Sequence, residues 1–180
     1  MILEFSLDRN DYLTHQLFEV SKSKGVKRNR LLIKLLLPIF FFTYGLVAFG
    51  REHIIFSCVF FSIAVLWFFF YPLRSRKRYE KQYGTYIDET YKVRFGEKVT
   101  LEVTRDNLIS TAEGSESKHS TSQIQEIVEI PTIILIKLKV GAYILPKEKI
   151  TDIEGVKKEL KELSEFLQIP YTMENNWKWK

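Results

Sequence analysis

Two long apolar runs, separated by three polar residues, dominate the first half of the chain. Leu31–Gly50 reads LLIKLLLPIFFFTYGLVAFG and holds one charged residue, Lys34, whereas Ile54–Tyr71 reads IIFSCVFFSIAVLWFFFY and holds none. At about 1.5 Å per residue they form helices of roughly 30 and 27 Å, which matches a hydrocarbon core of about 30 Å. Because neither run has a polar stripe at helical spacing, the pattern predicts two membrane-spanning helices.

A transfer sum supports insertion of both runs. The first contains 13 Leu, Ile, Phe and Val residues and the second contains 12. At about −0.3 to −0.6 kcal/mol for each central residue, each run gains on the order of −4 to −7 kcal/mol as an upper bound. Lys34 lies one turn from the end of its run, where its stem can reach the interface at a small cost.

Basic residues flank the two runs and predict their orientation. They are Lys22, Lys24, Lys27, Arg28 and Arg30 before the first run, and Arg74, Arg76, Lys77, Arg78 and Lys81 after the second. The intervening loop carries only Arg51, offset by Glu52, so the positive-inside rule places both termini in the cytoplasm. We expect the anchors at the inner membrane interface to be Lys34, Trp67, Tyr71, Arg74, Arg76, Lys77 and Arg78. Whether the basic flanks only set topology or also bind anionic lipid is left open.

From about residue 85 the apolar period changes to two. Short strands with tight connections are predicted near residues 99–104, 107–111, 117–121, 123–130, 133–140 and 142–145, as in an antiparallel meander. One amphipathic helix follows, capped by Thr151 or Asp152, with Val156, Leu160 and Leu163 on its apolar face. A meander closed by one helix is typical of a pleckstrin-homology-like (PH-like) barrel, although split barrels and lipocalin-like folds share parts of the pattern.

The first residues also have a pattern. Residues Ile2–Leu7 partly alternate and predict a short strand, and Asp8 is suited to cap a following helix, with Asp11 three residues later. A lone strand must pair with another strand. Since both termini are predicted to be cytoplasmic, we expect Ile2–Leu7 to join the C-terminal sheet.

The expected fold class is therefore a membrane protein of the α+β type, with a two-helix transmembrane hairpin followed by an antiparallel β meander or barrel, PH-like, capped by one C-terminal helix. The segments are a cytoplasmic strand and helix (1–30), transmembrane helices (31–50 and 54–73) around an extracytoplasmic loop (51–53), a basic juxtamembrane segment (74–84), a PH-like cytoplasmic domain (85–169) and a tail (170–180).

Charge and cysteine content narrow the functional classes. The net charge is +5, but residues 1–84 carry 13 basic and 6 acidic residues, and residues 85–180 carry 14 and 16. The basic character belongs to the membrane flanks, so nucleic acid is not an expected partner. The single cysteine, Cys58, lies in the second apolar run and allows neither a disulfide framework nor a cysteine metal site.

The search for chemistry predicts no enzyme. His15, His53 and His119 are separated by the predicted topology, and Asp8 and Asp11 fit a helix start better than an acid/base pair. No phosphate loop, zinc spacing or nucleophile elbow is present, so no catalytic, cofactor-binding or metal site is expected. The ending Trp177-Lys178-Trp179-Lys180 is either a frayed tail or an interfacial anchor formed by Trp177 and Trp179.

The order of short motifs resembles the YcxB-like family of bacterial membrane proteins over about residues 2–169. The motifs are Phe5-Ser6-Leu7, Asp11-Tyr12-Leu13, Phe69-Phe70-Tyr71-Pro72 and Tyr143-Ile144-Leu145-Pro146-Lys147. Ile150 departs from the aromatic residue expected there. The resemblance implies two transmembrane helices with a C-terminal PH-like domain in the bacterial inner membrane, and it implies no reaction.

Two functional hypotheses follow. The first is a non-enzymatic interaction or adaptor module at the inner leaflet, whose cytoplasmic PH-like domain binds a protein or peptide partner. The alternative is a small oligomeric membrane protein, regulated by that domain, with a role in transport, stress or immunity to membrane-active peptides. The bilayer is a partner in both, and homo-oligomerisation is left open.

Overall fold

The computed structural model describes residues 1–179, so Lys180 of the predicted tail lies outside the described residues. The fold is α+β. The helices are α1 (Arg9–Lys22), α2 (Lys24–Gly50), α3 (Ile54–Thr90) and α4 (Ile153–Leu167). The strands are β1 (Ile2–Ser6), β2 (Lys98–Val103), β3 (Asn107–Ala112), β4 (Ser115–Ser120), β5 (Ile124–Glu129), β6 (Ile133–Leu138), β7 (Ala142–Pro146) and β8 (Tyr171–Met173). The chain forms two compact units, which we call the β unit (1–16 and 84–178) and the helical unit (17–83 with Trp179).

The β unit contains two four-stranded sheets. The first has the order β1-β2-β3-β4 and is antiparallel throughout, whereas the second has the order β7-β6-β5-β8 and pairs β5 with β8 in parallel. The six predicted strands are present, but they form two antiparallel three-strand meanders instead of one, because β4 and β5 belong to different sheets. The predicted pairing of the N-terminal strand with the C-terminal sheet is confirmed, because Leu3 lies opposite Leu101 and Phe5 lies opposite Val99 in β2.

The core of the β unit includes both faces of the second sheet. Residues 133–136 of β6 are all fully buried. Successive residues of a strand point to opposite faces, so both faces of the second sheet are covered. Helix α4 begins at the predicted cap, where Asp152 accepts a hydrogen bond from the Gly155 N–H at 3.0 Å, and it buries Leu160 completely.

Strand β8 was not predicted from the sequence. Its three residues, Tyr171–Met173, pair with β5 inside the segment assigned to the tail. Three residues are too few to display a period of two, and a parallel partner leaves no hairpin signal in the sequence. The chain therefore adds an edge strand after α4 instead of ending there.

The helical unit contains two helices that are each long and apolar enough to span a membrane. They are joined at residues 51–53, as predicted, and approach each other closely at Gly45. The Ser57 hydroxyl donates to the Gly45 carbonyl at 2.8 Å, and a Cβ at Gly45 would meet the Phe61 ring at 2.6 Å. Glycine is thus the residue that permits this contact.

Helix α3 is longer than predicted. Instead of ending near residue 73, it continues through Pro72 and the basic segment to Thr90. Lysine, arginine and glutamate favour helix, and Arg76 forms an i,i+4 ion pair with Glu80 at 3.0 Å. The change from apolar to basic residues therefore indicates where the helix is expected to leave the lipid, and the helix itself continues beyond that point.

Candidate functional site: a cleft between the two sheets

A cavity of about 580 Å³ opens between the two sheets of the β unit. We call it the inter-sheet cleft. Its lining residues fall into three groups. The first sheet contributes Phe5, Val99, Ser110, Ala112, Ser115 and Ser117, with Leu7 just after β1, and the second contributes Gly141–Ile144. Helix α1 contributes Tyr12, His15 and Gln16, and the segment between α3 and β2 contributes Tyr91, Arg94 and Glu97. Hydroxyl groups and aromatic rings therefore face a space of ligand size.

Small side chains on β3 and β4 explain why the cleft is open. Across the first sheet the register runs from Leu3 to Leu101, then to Ser110, and then to Ser117. The two leucines of this row are buried, whereas the serines at its other end are too small to fill the space between the sheets. The space is therefore a direct result of residue size along a single row.

Tyr143 gives the cleft a polar wall. Its hydroxyl lies 3.4 Å from the Ser117 hydroxyl. The centres of the Tyr143 and His119 rings are 5.9 Å apart, in an edge-to-face arrangement. Because Ser117 belongs to β4 and Tyr143 to β7, this pair joins the edges of the two sheets across the cleft. Each hydroxyl can either donate to or accept from a ligand.

Two further tyrosines lie at the helical side of the cleft. The rings of Tyr12 and Tyr91 stack at 4.7 Å, and Phe95 lies 5.9 Å from Tyr12. Burial raises the pKa of both Tyr12 and Tyr91. Both phenols therefore stay neutral through the physiological range and remain able to donate hydrogen bonds.

Helix α1 holds Tyr12, and its start is fixed by a reciprocal cap. The Asp8 carboxylate accepts from the N–H groups of Asn10 and Asp11 at 2.8 and 3.0 Å, and the Asp11 carboxylate accepts from the Asp8 N–H at 2.9 Å. The predicted capping role of Asp8 is confirmed. Lys149, which follows β7, donates to Asp8 at 2.9 Å and to Asp11 at 2.6 Å. This cation ties α1 to the second sheet.

These contacts also change the pKa of the Asp8 carboxyl group. Burial raises the pKa of the Asp8 carboxyl, but the hydrogen bond from Lys149 and those from the backbone outweigh it, so the net pKa is lowered. The next residue, Arg9, forms a second ion pair: its guanidinium donates to both carboxylate oxygens of Asp88, at 2.6 and 2.9 Å. The Arg9 hydrogen bond lowers the pKa of Asp88. Both carboxylates are therefore charged at neutral pH.

We expect Asp11→Ala to loosen the first turn of α1, because it removes the acceptor of the Asp8 N–H and one of the two carboxylate partners of Lys149. Loss of a cap costs about 1–2 kcal/mol, so the Tyr12 amide is expected to exchange its hydrogen about ten times faster. Asp11→Asn keeps the side-chain oxygen that accepts from Asp8 and is the matched control. Hydrogen exchange read by mass spectrometry measures both, and equal exchange in Asp11→Ala and the parent would contradict the assignment.

The expected interface residues lie in the helical unit. The Lys34 ammonium sits 4.4 Å from the centre of the Phe68 ring, and the Trp67 indole donates to the Ile33 carbonyl at 3.4 Å and stacks on Tyr71 at 5.5 Å. The remaining cations, Arg74, Arg76, Lys77 and Arg78, are exposed on α3. Their role as membrane anchors stays a prediction.

The two tail tryptophans differ. Trp179 is buried in the helical unit, where its indole donates to the Arg76 carbonyl at 3.3 Å, its ring meets Tyr79 at 5.7 Å, and the Arg30 guanidinium lies 5.0 Å from its centre. Trp177 belongs to the β unit and is only half-buried. An interfacial role for either residue stays a prediction.

Sequence reasoning missed the cleft. Of the histidines, His15 lines it, His119 lies near Gln123 at 3.3 Å, and His53 lies between α2 and α3. A usable signal was present, since Ser110 and Ala112 stand two residues apart on the face of β3 that begins with the buried Leu108. Among residues 1–179 no group of three or more His, Cys, Asp and Glu is placed to hold a metal ion.

Comparison of the chain with protein-family models, with curated proteins and with solved structures gave no match. The resemblance to the YcxB-like family therefore stays a prediction from short motifs, and the case for a function depends on the site itself.

Proposed function

We propose that this protein is a membrane-anchored interaction module, whose β unit binds an extended peptide segment of a protein partner in the inter-sheet cleft. One observation carries the proposal. The cleft lies between two edge strands: within residues 1–179, β4 pairs with β3 alone and β7 pairs with β6 alone. The free N–H and C=O groups of an edge strand are a template for an added strand, and this is a common mode of peptide recognition.

The side chains of the cleft suit such a ligand. Ser115 and Ser117 on β4 and Tyr143 on β7 offer hydroxyls next to the two free edges, and Arg94 and Glu97 supply one charge of each sign. A polypeptide presents alternating donors and acceptors, which these groups can pair without a strong charge preference. The proposed role is recognition, with no bond made or broken.

We interpret the β unit as PH-like. Four antiparallel strands, then three, then a helix is the order of that architecture, with β8 as an addition. On this interpretation α1, α2 and α3 are an insertion between β1 and β2. The insertion would attach the β unit to the membrane.

Membrane attachment is proposed through the apolar parts of α2 and α3, with both termini in the cytoplasm of a bacterial cell. In the most apolar 18-residue stretches of the two helices, only 6% and 11% of residues are buried. Side chains such as Ile55 and Phe69 are 80% and 67% exposed, which is far more apolar surface than a soluble protein presents. Lipid would cover this surface.

The cleft assignment predicts a contrast between neighbouring positions of β4. A photo-cross-linking amino acid at Ser117 is expected to capture the partner in cells, whereas the same group at Lys118, on the other face of the strand, is not. Ser110→Phe should fill the cleft and abolish capture at position 117. Immunoblotting of cross-linked membranes measures the yield, and equal capture at positions 117 and 118 would reject the cleft as the binding site.

Replacing the two apolar helices tests which part of the chain recognises the partner. Residues 31–71 are replaced by an unrelated two-span hairpin, and capture at position 117 is repeated. The proposal expects the same partner to be captured with undiminished yield. Loss of the partner with the native hairpin would favour the helices as the working part of the protein.

A further inference from the structure

A second cavity, of about 290 Å³, lies within the helical unit between α2 and α3. We call it the interhelical cavity, and six of its lining residues carry the argument: Ile33, Leu37, Trp67, Arg74, Ser75 and Arg78. It begins where the apolar run of α3 gives way to the basic segment. None of the residues that line it is acidic.

The lining changes from apolar to cationic along α3. Ile33, Leu37 and the Trp67 ring form one end, and Arg74 and Arg78, one helical turn apart on the same face, form the other. This arrangement complements a molecule with a hydrocarbon part and an anionic part. A free inorganic anion would use only half of it.

Ser75 provides an independent indication of a ligand. The residue is only 5% exposed, and its hydroxyl has no hydrogen-bond partner within residues 1–179. A serine inside a helix usually donates to the carbonyl four residues before it, but Ser75 does not. A buried hydroxyl without a partner costs free energy, and a ligand oxygen in the cavity would supply the missing acceptor.

The two arginines of the cavity are also without counter-charge. Neither Arg74 nor Arg78 forms an ion pair with any carboxylate in the described part of the chain, whereas Arg76, which does not line the cavity, pairs with Glu80 at 3.0 Å. A planar guanidinium matches two oxygens of a phosphate group. The cavity therefore holds two unused phosphate-binding side chains and one unused hydroxyl.

We propose that the interhelical cavity binds the headgroup phosphate of an anionic phospholipid. Arg74 and Arg78 contact the phosphate oxygens, the Ser75 hydroxyl donates to one of them, and the glycerol and the first acyl carbons lie along Ile33, Leu37 and Trp67. This inference relies on the membrane attachment proposed above, because only a chain inserted in the inner leaflet brings this cavity to headgroup depth.

The test uses the full-length protein in nanodiscs of phosphatidylcholine that contain a minor fraction of diazirine-labelled phosphatidylglycerol. Photolysis followed by peptide mapping gives the adduct yield on α2 and α3. Arg74→Gln/Arg78→Gln is expected to lower the yield about thirtyfold, because two direct charge contacts are lost. Arg76→Gln/Lys77→Gln removes the same charge from the same helix outside the cavity and is expected to lower it no more than about threefold.

Ser75→Ala separates a binding role from a packing role. In discs of phosphatidylcholine alone it is expected to leave the melting temperature unchanged or higher, since it removes an unpaired buried hydroxyl. The rise in melting temperature that phosphatidylglycerol gives the parent is expected to shrink in this variant. If Ser75→Ala keeps the full rise, the hydroxyl does not contact the lipid.

Three outcomes would overturn the inference. An equal loss of adduct yield in the two double variants would show that the lipid is attracted by the overall positive charge of the helix and not by the cavity. Full displacement of the labelled lipid by millimolar inorganic phosphate would show a phosphate site without a lipid. Labelling away from the cavity would place the lipid elsewhere. In each case a protein that still resists alkaline extraction from membranes leaves the proposed attachment intact, whereas extraction of the parent protein would overturn the attachment itself.

Discussion

Replacing Glu129 by alanine is expected to lower the free energy of unfolding of the β unit by about 3–5 kcal/mol. The side chain of Glu129 is only 5% exposed and accepts from Lys147 at 2.6 Å and from the Tyr171 hydroxyl at 3.0 Å, with Lys157 at 3.3 Å. One carboxylate thereby joins β5, the turn that follows β7, α4 and β8. Its removal leaves the Lys147 ammonium, 14% exposed, without a partner.

The matched control lies three residues earlier on the same strand. Glu126 pairs with Lys137 at 2.9 Å, but both side chains are partly exposed. We therefore expect Glu126→Gln to cost less than about 1 kcal/mol. Pulse proteolysis of the full chain in nanodiscs over a urea series measures both variants, and equal losses would show that Glu129 is not a buried junction.

The same carboxylate predicts a pH dependence. Burial raises the pKa of Glu129, but the hydrogen bonds from Lys147 and Tyr171 outweigh it, so its pKa in the folded protein is lowered. A lowered pKa means that the stabilisation is complete above the unfolded value of about 4.3 and is lost as the pH falls through the folded value. Glu129→Gln should flatten the loss of stability in that acidic window, and an unchanged acid profile would contradict the shift.

Two arginines placed on the exposed face of α3 are expected to prevent membrane integration. Val59 and Val65 lie near the middle of the apolar run and are 49% and 56% exposed. Each arginine at a central position costs about 2.5–3.5 kcal/mol, so the pair cancels the gain of about 4–7 kcal/mol from the whole run. The fraction of Val59→Arg/Val65→Arg protein that resists alkaline carbonate extraction should fall from nearly all to a minority.

A second double variant controls for charge alone. Leu73→Arg/Tyr86→Arg adds two arginines to exposed positions of the same helix outside the apolar run. It is expected to stay integrated, because these arginines can remain in headgroups or water. If both double variants integrate equally, or if carbonate releases the parent, α3 is not a membrane span.

Much of the fold could be predicted because its signals are local. The loop at 51–53 stands between two apolar runs, and the predicted strands lie between turns that contain Asp106, Gly114, Pro131 and Gly141. The cap at Asp8 needs only a spacing of three. The pairing of β1 was inferred from a different argument, since a single strand whose Leu3 and Phe5 are apolar must find a sheet.

The rest depends on relations that a single segment does not contain. The inter-sheet cleft exists because Ser110 and Ser117 share a row with two leucines from other strands, and that register is visible only after the strands are paired. The junction at Glu129 needs β8, whose three residues carry no pattern. The continuation of α3 past Pro72 was not predicted, because residues 74–84 were treated as a segment outside the lipid and their helix propensity was not considered.

The chain separates β1 from its partner β2 by about 90 residues that contain both apolar helices. At about 5–20 residues per second, a ribosome needs on the order of 5–20 s to make the second strand after the first has emerged. If α2 and α3 cross the membrane as proposed, Leu3 and Phe5 can reach their sheet in an inserted chain only when both helices have crossed the bilayer. A chain with one missed span would leave β1 and β2 on opposite sides of the bilayer and the edge of β2 unpaired. Quality-control proteases could therefore distinguish correct from incorrect membrane biogenesis by whether this one strand has closed the sheet.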